Sequence, residues 1–445
     1  MSLSEYREYK DSVVGGLRQI PSHWSTPPLY LRYQADLGKM LDASRITGES
    51  LHPYLRNVDV QWGRINFEDL PQMDIAPTEV ARYTVQAGDL LVCEGGEVGR
   101  AAVVEALEGL TAFQKALHRL RPIHADEVPK YMFYVLRWAA DTGAFSTNGQ
   151  STIAHLTGEQ LRKCRFPCPP GDEQATIAAF LDRETSKIDA LIAEQETLIT
   201  LLAEKRQATI SHAVTRGLNP NAPMKDYGVA WLGEVPVHWE LKRLRNLATA
   251  VQTGRTPSSE APTSDVKGGL DWYTPGDFGS ELVLGNASKR VSDTLATLGE
   301  AKIFPTGSIL VVSIGATLGK VGLTDRPASA NQQINALVLP ETCNGRFFAY
   351  SLSVKAGVMR FLSNASTIGI MNQEKTKEIV VAVPPVGEQG DIADLLDLEM
   401  AKIAALVAEA HHAIALLNER RTALIAAAVT GQIDVRGAVA PEASP

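Results

Sequence analysis

Residues 169–192 read PPGDEQATIAAFLDRETSKIDALI, and residues 384–407 read PPVGEQGDIADLLDLEMAKIAALV. The second stretch repeats the first at one constant offset, that from position 169 to position 384. In both, a Pro-Pro pair is followed by apolar residues that alternate three and four positions apart. Proline is favoured where a helix begins, and this alternation is typical of a long helix that packs along one apolar seam. The two stretches therefore predict two long helices at equivalent places in a repeated chain.

The same offset also relates the beginnings of the two halves. Matching residues in the first half are Lys10, Asp11, Leu17, Pro21, His23 and Trp24, which recur as Lys225, Asp226, Leu232, Pro236, His238 and Trp239. Residues 30–110 and 245–300 barely align. Copies of about 210 residues are too long for a solenoid repeat, so they indicate two domains. The chain is an internal pseudo-dimer that holds two different inserts, as a molecule would that recognises two different things at a fixed separation.

The composition favours a soluble globular protein. The 445 residues are 44% hydrophobic with a mean hydropathy of −0.07, so each half can bury an ordinary core. No apolar run approaches the roughly 18 residues that span a bilayer, and the N-terminal MSLSEYREYKDS has no cleavage signature. We therefore expect a cytoplasmic protein that does not bind a membrane.

The net charge of −8 is unevenly distributed. Residues 172–217 carry a net charge of −3 and residues 388–432 carry −4, which leaves −1 for the rest of the chain. The net negative charge thus lies mainly on the predicted helices, while basic residues are scattered through predicted loops. This distribution permits nucleic-acid binding without indicating it.

The heptad spacing predicts which side chains form the helix seam. These residues are Ile177, Leu181, Ile188, Leu191, Leu198 and Leu202 in the first helix, and Ile392, Leu396, Ile403, Leu406 and Leu417 in the second. A pseudo-twofold axis would pair the two helices antiparallel. The predicted fold is α+β: two mixed α/β domains (1–170 and 219–385), two spacer helices (171–218 and 386–432) that form an antiparallel coiled coil, and a flexible tail (433–445).

No pattern of catalytic or metal-binding residues is found. Cys164 and Cys168 lie four positions apart without a second Cys or His pair, so the cysteines are not predicted to bind zinc. Residues 315–320 resemble a phosphate loop, but only three residues separate the two glycines and Val321 follows the lysine, which excludes a Walker motif. The nine histidines show no ligand spacing. We predict no catalytic residue, metal or cofactor in this chain.

Several ordered motifs occur twice. Each half begins with IPSHW or VPVHW and continues with a glycine-punctuated hairpin at residues 88–104 or 307–323. AFQKALHRLRP (112–122) or ANQQINALVLP (330–340) follows, then STI, and then PPxxEQ opening a helix that ends in AVT. In this order, from about Lys10 to Gln432, the chain resembles the specificity subunit of type I restriction-modification systems.

The resemblance implies a non-catalytic DNA-recognition subunit. Proteins of this family carry two target recognition domains, each reading one half of a bipartite asymmetric site in double-stranded DNA, and two conserved helices that fix the spacing. The helices dock two methyltransferase subunits, which carry S-adenosylmethionine, and a restriction and translocase subunit that uses ATP and Mg²⁺ joins them. The sequence agrees, because FPCPPG at 166–171 is not an adenine-methyltransferase motif.

DNA-contacting residues are sought among side chains that bond to base edges or phosphates in predicted loops. The candidates are Arg64, Arg82, Arg100, Gln114, Lys115, Gln150, Ser151 and Thr152 in the first domain, and Arg255, Thr256, Lys320, Gln332, Gln333, Asn364, Ser366 and Thr367 in the second.

The residues leave two other functions open. The alternative is a non-catalytic scaffold whose two divergent domains bind two proteins along a helical strut, which the acidic net charge favours slightly. The third possibility is an enzyme with its site in one insert, which the lack of any nucleophile, metal or cofactor pattern disfavours. A steep salt dependence of duplex binding would separate DNA recognition from the scaffold, because neutralised phosphates release counterions.

Overall fold

A computed structural model describes residues 4–41, 48–145, 155–229, 231–259, 261–264, 268–363 and 369–438. The chain divides into two compact units. Unit 1 combines Met1–Gln195 with His411–Pro445, and unit 2 is the continuous stretch Glu196–Ala410. Both boundaries fall inside long helices, so each unit contains part of both helices. This differs from the predicted linear order, in which the first domain lies wholly within residues 1–170.

Unit 1 and the first long helix contain these elements: β1 (Tyr9–Asp11), β2 (Gln19–Pro21), β3 (Tyr33–Leu37), β4 (Leu51–Leu55), β5 (Val60–Gln61), β6 (Arg64–Ile65), β7 (Gln72–Asp74), α1 (Val80–Tyr83), β8 (Leu90–Cys93), β9 (Ala101–Val103), β10 (Ala112–Phe113), β11 (Leu117–Pro122), α2 (Pro129–Thr142), α3 (Gly158–Lys163) and α4 (Gly171–Arg216). The main sheet has the antiparallel order β3-β11-β8-β9. A second sheet has the order β10-β4-β7, and β1-β2 and β5-β6 are two-stranded. The predicted hairpin at 88–104 is confirmed as β8-β9.

The elements from the end of α4 onward are β12 (Met224–Asp226), β13 (Glu234–Pro236), β14 (Glu240–Arg243), β15 (Ala250–Thr253), β16 (Leu270–Tyr273), β17 (Arg290–Val291), α5 (Asp293–Thr297), β18 (Ile309–Val312), β19 (Val321–Leu323), β20 (Ala328–Ala330), β21 (Ile334–Val338), α6 (Gly345–Ser353), α7 (Ala356–Ser363), α8 (Gln373–Lys377), β22 (Val380–Val383) and α9 (Val386–Val429). The main sheet of unit 2, β15-β21-β18-β19, has the same antiparallel arrangement as that of unit 1. The second predicted hairpin is confirmed as β18-β19.

The core of unit 1 lies between its main sheet, α2 and the ends of two long helices. Helix α2 begins with Pro129 at its first turn and ends at Gly143 in the left-handed conformation, both of which are favoured at those places. Leu181 from the beginning of α4 and Val429 from the end of α9 are buried in this core. The last part of α9 therefore completes a domain whose last strand ends at Pro122.

The core of unit 2 contains the opposite ends of the two long helices. Ile210 and Val214 from the end of α4 are buried together with Ile392 and Leu396 from the beginning of α9. Within each unit, then, the first part of one long helix lies with the last part of the other. The predicted antiparallel pairing of the helices is confirmed, and with it the α+β fold class.

Three predicted seam residues lie outside the seam. Buried positions include Ile177, Leu181, Ile188, Leu202, Ile392, Leu396 and Ile403, and Leu417 is half-buried. Leu191, Leu198 and Leu406, however, are 43%, 39% and 47% exposed. The adjacent residues Ile192, Ile199 and Val407 are half-buried in their place. Because apolar residues stand side by side at these points, the sequence pattern could not decide which member of each pair faces inward.

Helix α4 ends at Arg216 and α9 at Val429, compared with predicted spacer ranges that end at 218 and 432. The predicted flexible tail does not begin at 433. Val435 is fully buried in the core of unit 1, and Ser4 and Asp434 form an antiparallel bridge. The segment after α9 is thus packed as far as residue 438, where the described part of the chain ends.

The sequence-based expectation that no stretch is apolar and long enough for a membrane needs one correction. Helix α9 contains an 18-residue window with a mean hydropathy of 1.4, which meets that test by length and composition. The two ends of the same helix, however, pack into protein cores through Leu396 and Val429. An alanine-rich seam helix passes the test because small apolar residues raise its hydropathy.

The exposure of neighbouring leucines on α4 gives a matched test of the seam. Leu181→Asp puts a carboxylate into a fully buried position, and we expect it to destabilise unit 1 by about 3 kcal/mol or more. Leu191→Asp, at an exposed position, should cost less than about 0.5 kcal/mol. Urea unfolding followed by circular dichroism measures both, and equal losses would contradict this difference in burial.

Candidate nucleic-acid interface

Three loops of unit 1 leave the main sheet at one end. The last residue of β3, Leu37, pairs with His118, and the last residue of β8, Cys93, pairs with Leu117 at the beginning of β11. Since the strands are antiparallel, the segments that follow β3 and β8 and precede β11 meet at the same edge. We call this edge the turn end of unit 1, formed by residues 38–39, 94–100 and 114–116.

Unit 2 has the same arrangement. Thr253 at the end of β15 pairs with Asn335, and Val312 at the end of β18 pairs with Ile334. The turn end of unit 2 is formed by residues 254–256, 313–320 and 331–333. Two divergent sequences thus present their loops at the same edge of two equivalent sheets.

A glycine at the end of β3 or β15 allows the loops of each turn end to approach closely. A Cβ atom on Gly38 would lie 2.2 Å from the carbonyl oxygen of Gln114, and a Cβ atom on Gly254 would lie 2.2 Å from that of Asn331. Both neighbours are backbone atoms, which cannot rotate away. Only glycine fits at these two positions.

Of the five described contact candidates of unit 1, three lie at its turn end and two lie outside it. Lys115 is exposed and Gln114 is half-buried beside it. Arg100 is held inward, because its guanidinium donates to the carbonyl oxygen (2.9 Å) and the side-chain oxygen (2.8 Å) of Asn57. Arg64, exposed on β6, lies outside the three loops. Arg82, on α1, also lies outside them, with its guanidinium 5.2 Å from the ring centre of Tyr83.

The turn end of unit 2 brings Arg255, Thr256 and Gln332 together. All three are exposed, and the Thr256 hydroxyl donates to the side-chain oxygen of Gln332. Arg255 has no carboxylate partner among the described residues; its guanidinium reaches only the Gly299 carbonyl oxygen, at 3.5 Å. This group offers a guanidinium and an amide to a ligand.

The other two described candidates of unit 2 are Gln333, which is half-buried, and Lys320, which is exposed. Gln333 supports the loop, since its carbonyl accepts from the Ser313 backbone N–H at 2.8 Å and its N–H donates to Asn331 at 2.9 Å. Lys320 is exposed, and its amino group donates to the Phe278 carbonyl oxygen at 2.8 Å.

Six predicted contact residues lie outside the described residues: Gln150, Ser151, Thr152, Asn364, Ser366 and Thr367. The segments that follow them are attached to the turn ends. Leu156 donates its N–H to the carbonyl of Glu94 at 2.7 Å, and Met371 donates to that of Ser313 at 2.8 Å. The chain therefore reaches the same edge in both units immediately after the two STI motifs.

Sequence reasoning missed Lys39, which occupies the position equivalent to Arg255. Its amino group donates to the Asp74 carbonyl oxygen at 2.8 Å and to the Glu79 carboxylate at 2.5 Å. The hydrogen bond from Lys39 is the main reason that the pKa of Glu79 is lowered. The sequence did contain a signal, since a glycine followed by a basic residue ends β3 as Gly-Lys and β15 as Gly-Arg.

The described residues include no group of three or more His, Cys, Asp or Glu side chains that could hold a metal ion. The two turn ends offer hydrogen-bond donors, hydrogen-bond acceptors and positive charge, each at the edge of its own sheet. The family model for the type I restriction modification DNA specificity domain matches twice, at residues 57–201 and 236–405. The chain belongs to this family. The first match contains the two later loops of the turn end of unit 1, and the second contains all three loops of the turn end of unit 2.

Curated relatives agree with the family. The chain is 22% identical over 404 residues to a protein assigned as the type I restriction enzyme MjaX specificity subunit of Methanocaldococcus jannaschii, covering 88% of this chain and 90% of that protein. It is also 22% identical over 324 residues to the type I restriction enzyme EcoBI specificity subunit of Escherichia coli, covering 70% of this chain and 67% of that one.

Solved structures share the fold of the two specificity domains. A chain from a study of complex assembly and conformational transition of the type I R-M system gives a TM-score of 0.72 at 17% identity, covering 93% of this chain and 99% of that chain. The HsdS subunit from Thermoanaerobacter tengcongensis gives a TM-score of 0.56 at 17% identity, covering 95% and 100%.

Proposed function

We propose that this protein is the sequence-specific DNA recognition subunit of a type I restriction-modification complex, in which each unit reads one half of a bipartite asymmetric site. The observation that carries the proposal is the pair of turn ends. The two turn ends have the same arrangement of strands and a glycine at the same position. They nevertheless present different side chains, as two domains that read different half-sites require.

The side chains at the turn ends have the chemistry that DNA recognition needs. Arginine binds the major-groove edge of guanine with two hydrogen bonds, and glutamine can do the same with adenine. Arg255 and Gln332 in unit 2 and Gln114 in unit 1 are such groups. Lys115 and Thr256 are suited to phosphate oxygens, which fix the register of a protein on the duplex.

The long helices supply the second part of the proposed function, which is to set the spacing and dock two methyltransferase subunits. Large apolar side chains remain exposed on both helices: Leu191, Leu198 and Leu201 on α4, and Leu395, Leu398, Leu406 and Leu416 on α9. A helical partner would cover such residues. Leu191, Leu198 and Leu406 would thus serve the interface with a partner.

The chemistry would be performed by the partner subunits. The methyltransferase subunits would bind S-adenosylmethionine, and a restriction and translocase subunit would use ATP and Mg²⁺. This chain would bind no cofactor and contribute no catalytic residue. We place the complex in the cytoplasm, where its double-stranded DNA is accessible.

A binding selection tests the proposed function. We expect the purified chain to bind duplex DNA weakly alone, because its net charge of −8 gives little sequence-independent attraction. With its methyltransferase partner, selection from a random duplex library should yield one split site. A partner-bound chain that shows no preference among duplexes would refute the proposal and favour a protein-binding scaffold. Weak salt dependence of duplex binding would point the same way.

A further inference from the structure

Each unit contains an open cavity at an equivalent place beside the long helices. The cavity of unit 2 has a volume of about 340 Å³ and that of unit 1 about 290 Å³. Corresponding residues line both, namely Arg206, Ile210 and Tyr350 in unit 2 and Arg421, Ile425 and Tyr134 in unit 1. The repeat has therefore preserved the cavity, and the two copies can be compared residue by residue.

The cations of the unit 1 cavity are neutralised by carboxylates. The Arg421 guanidinium lies 2.6 Å from the Asp189 carboxylate. Arg137 lies 3.3 Å from Asp141, and Lys130 lies 3.6 Å from Asp182. This cavity has no positive charge left for a ligand.

Among the described residues, the cations of the unit 2 cavity have no carboxylate partners. The lining contains Arg206, Lys320 and Arg360, with Glu281 as its acidic residue. Arg206 donates to the backbone carbonyl oxygen of Ser280, and Lys320 donates to that of Phe278. Arg360 is exposed on α7 and makes no ion pair within the described ranges. A carbonyl oxygen accepts a hydrogen bond but does not cancel a full charge.

Most other arginines of unit 2 do have carboxylate partners. Six other arginines of the unit form ion pairs with carboxylates: Arg216, Arg243, Arg245, Arg290, Arg326 and Arg346. Those without one, over the part of unit 2 that the structure covers, are Arg206, Arg360 and Arg255. Arg206 and Arg360 line the cavity, and Arg255 belongs to the turn end. The described arginines of unit 2 that have no carboxylate partner thus lie at only two places, the cavity and the turn end.

We infer that the unit 2 cavity binds a backbone phosphate of duplex DNA, next to the bases that the turn end of unit 2 reads. The inference rests on the proposed function and adds an interaction that unit 1 does not make. Guanidinium and ammonium groups form strong, charge-assisted hydrogen bonds with phosphate oxygens.

The position of the cavity favours DNA over a carboxylate of a protein partner. Thr317 and Lys320 line the cavity and belong to the loop between β18 and β19, which is part of the turn end. A duplex that contacts Arg255 and Gln332 would therefore bring its backbone close to the same loop. The cavity would fix the register of the duplex on unit 2 without reading a base.

The test uses the full chain in complex with its methyltransferase subunits. Arg360→Gln and Lys320→Gln each remove one exposed charge, so the fold should be retained, which thermal unfolding verifies. Fluorescence anisotropy gives the affinity for the selected duplex and for a scrambled duplex of equal length across a salt series. Arg243→Gln is the control, because it makes the same charge change in unit 2 at an exposed residue paired with Glu378.

We expect both cavity variants to bind both duplexes about 3- to 10-fold more weakly, with the log-log salt slope reduced by about one for each phosphate that is no longer neutralised. The ratio of affinities for the two duplexes should stay constant, and Arg243→Gln should match the wild type. An unchanged duplex affinity and salt slope in Arg360→Gln would overturn the inference. A carboxylate of a protein partner would then be the ligand that fits the cavity. A changed duplex preference would overturn it too, because that result identifies a base reader.

Failure of the proposed function has a separate signature. In that case the wild-type complex would not distinguish the selected duplex from the scrambled one. The comparison of salt slopes between wild type and variants uses either duplex and remains decisive for the phosphate site.

Discussion

Gly254→Ala is expected to abolish recognition by unit 2 while unit 1 continues to read its half-site. The added Cβ would lie 2.2 Å from the carbonyl oxygen of Asn331 and 2.3 Å from that of Ala330. The Gly254 N–H also donates to the carbonyl of Ile334 at 2.9 Å, so the strand end cannot move without breaking the sheet. We expect the free energy of unfolding of unit 2 to fall by about 3 kcal/mol or more. We also expect the loops that carry Arg255 and Gln332 to be displaced.

Selection from a random duplex library by the methyltransferase-bound variant measures this effect. One half of the selected site should become random, whereas the other half should stay as in the wild type. Gly285→Ala is the matched control, since a Cβ there meets no atom within 4 Å. Gly38→Ala should randomise the opposite half. A Gly254→Ala protein with both half-sites intact would show that the turn end does not read DNA.

A fragment of residues 1–224 is expected to form a homodimer that reads a palindromic split site. Without residues 411–438 the core of unit 1 is open where Ile425 and Val429 were. The end of α4 carries Ile210 and Val214 at the equivalent positions, and in unit 2 these residues fill the equivalent core. A second copy can therefore supply what the truncation removes, by the exchange that an isologous interface requires.

Light scattering measures the oligomeric state of the fragment, and library selection with the methyltransferase present gives its site. The half-site of unit 1 should appear twice in inverted orientation, with nearly the spacing of the full site. A monomeric fragment that unfolds cooperatively would show that the halves are not interchangeable, and the pseudo-dimer interpretation would then be wrong.

Features repeated in both halves of the sequence were predictable. The constant offset between matching residues predicted two related domains, and the three-four spacing predicted two long helices. The pseudo-twofold relation of the two halves predicted that these helices pair antiparallel. The glycine-punctuated runs predicted the β8-β9 and β18-β19 hairpins, because strand-forming residues flank tight turns there. In each case the responsible interaction is local or is repeated at a fixed separation.

Features that depend on the register between distant segments were not predictable. The inward position of Ile192 rather than Leu191 depends on how α4 packs, not on hydrophobicity. Arg100 looked free in the sequence, but Asn57, which binds it, lies 43 residues earlier. Lys39 was overlooked because a Gly-Lys or Gly-Arg pair is a weak signal until the pairing of β3 and β15 in their sheets shows that Lys39 and Arg255 are equivalent.

The discontinuity of unit 1 has a consequence for the order in which a ribosome delivers the chain. Unit 2 is one uninterrupted stretch, so it can fold as soon as residue 410 has emerged. Unit 1, although its strands are synthesised first, must wait for Ile425, Val429 and Val435 before its core can close. We expect the half of the protein made first to finish folding last, and a nascent chain stalled before residue 411 to expose the unfinished core of unit 1.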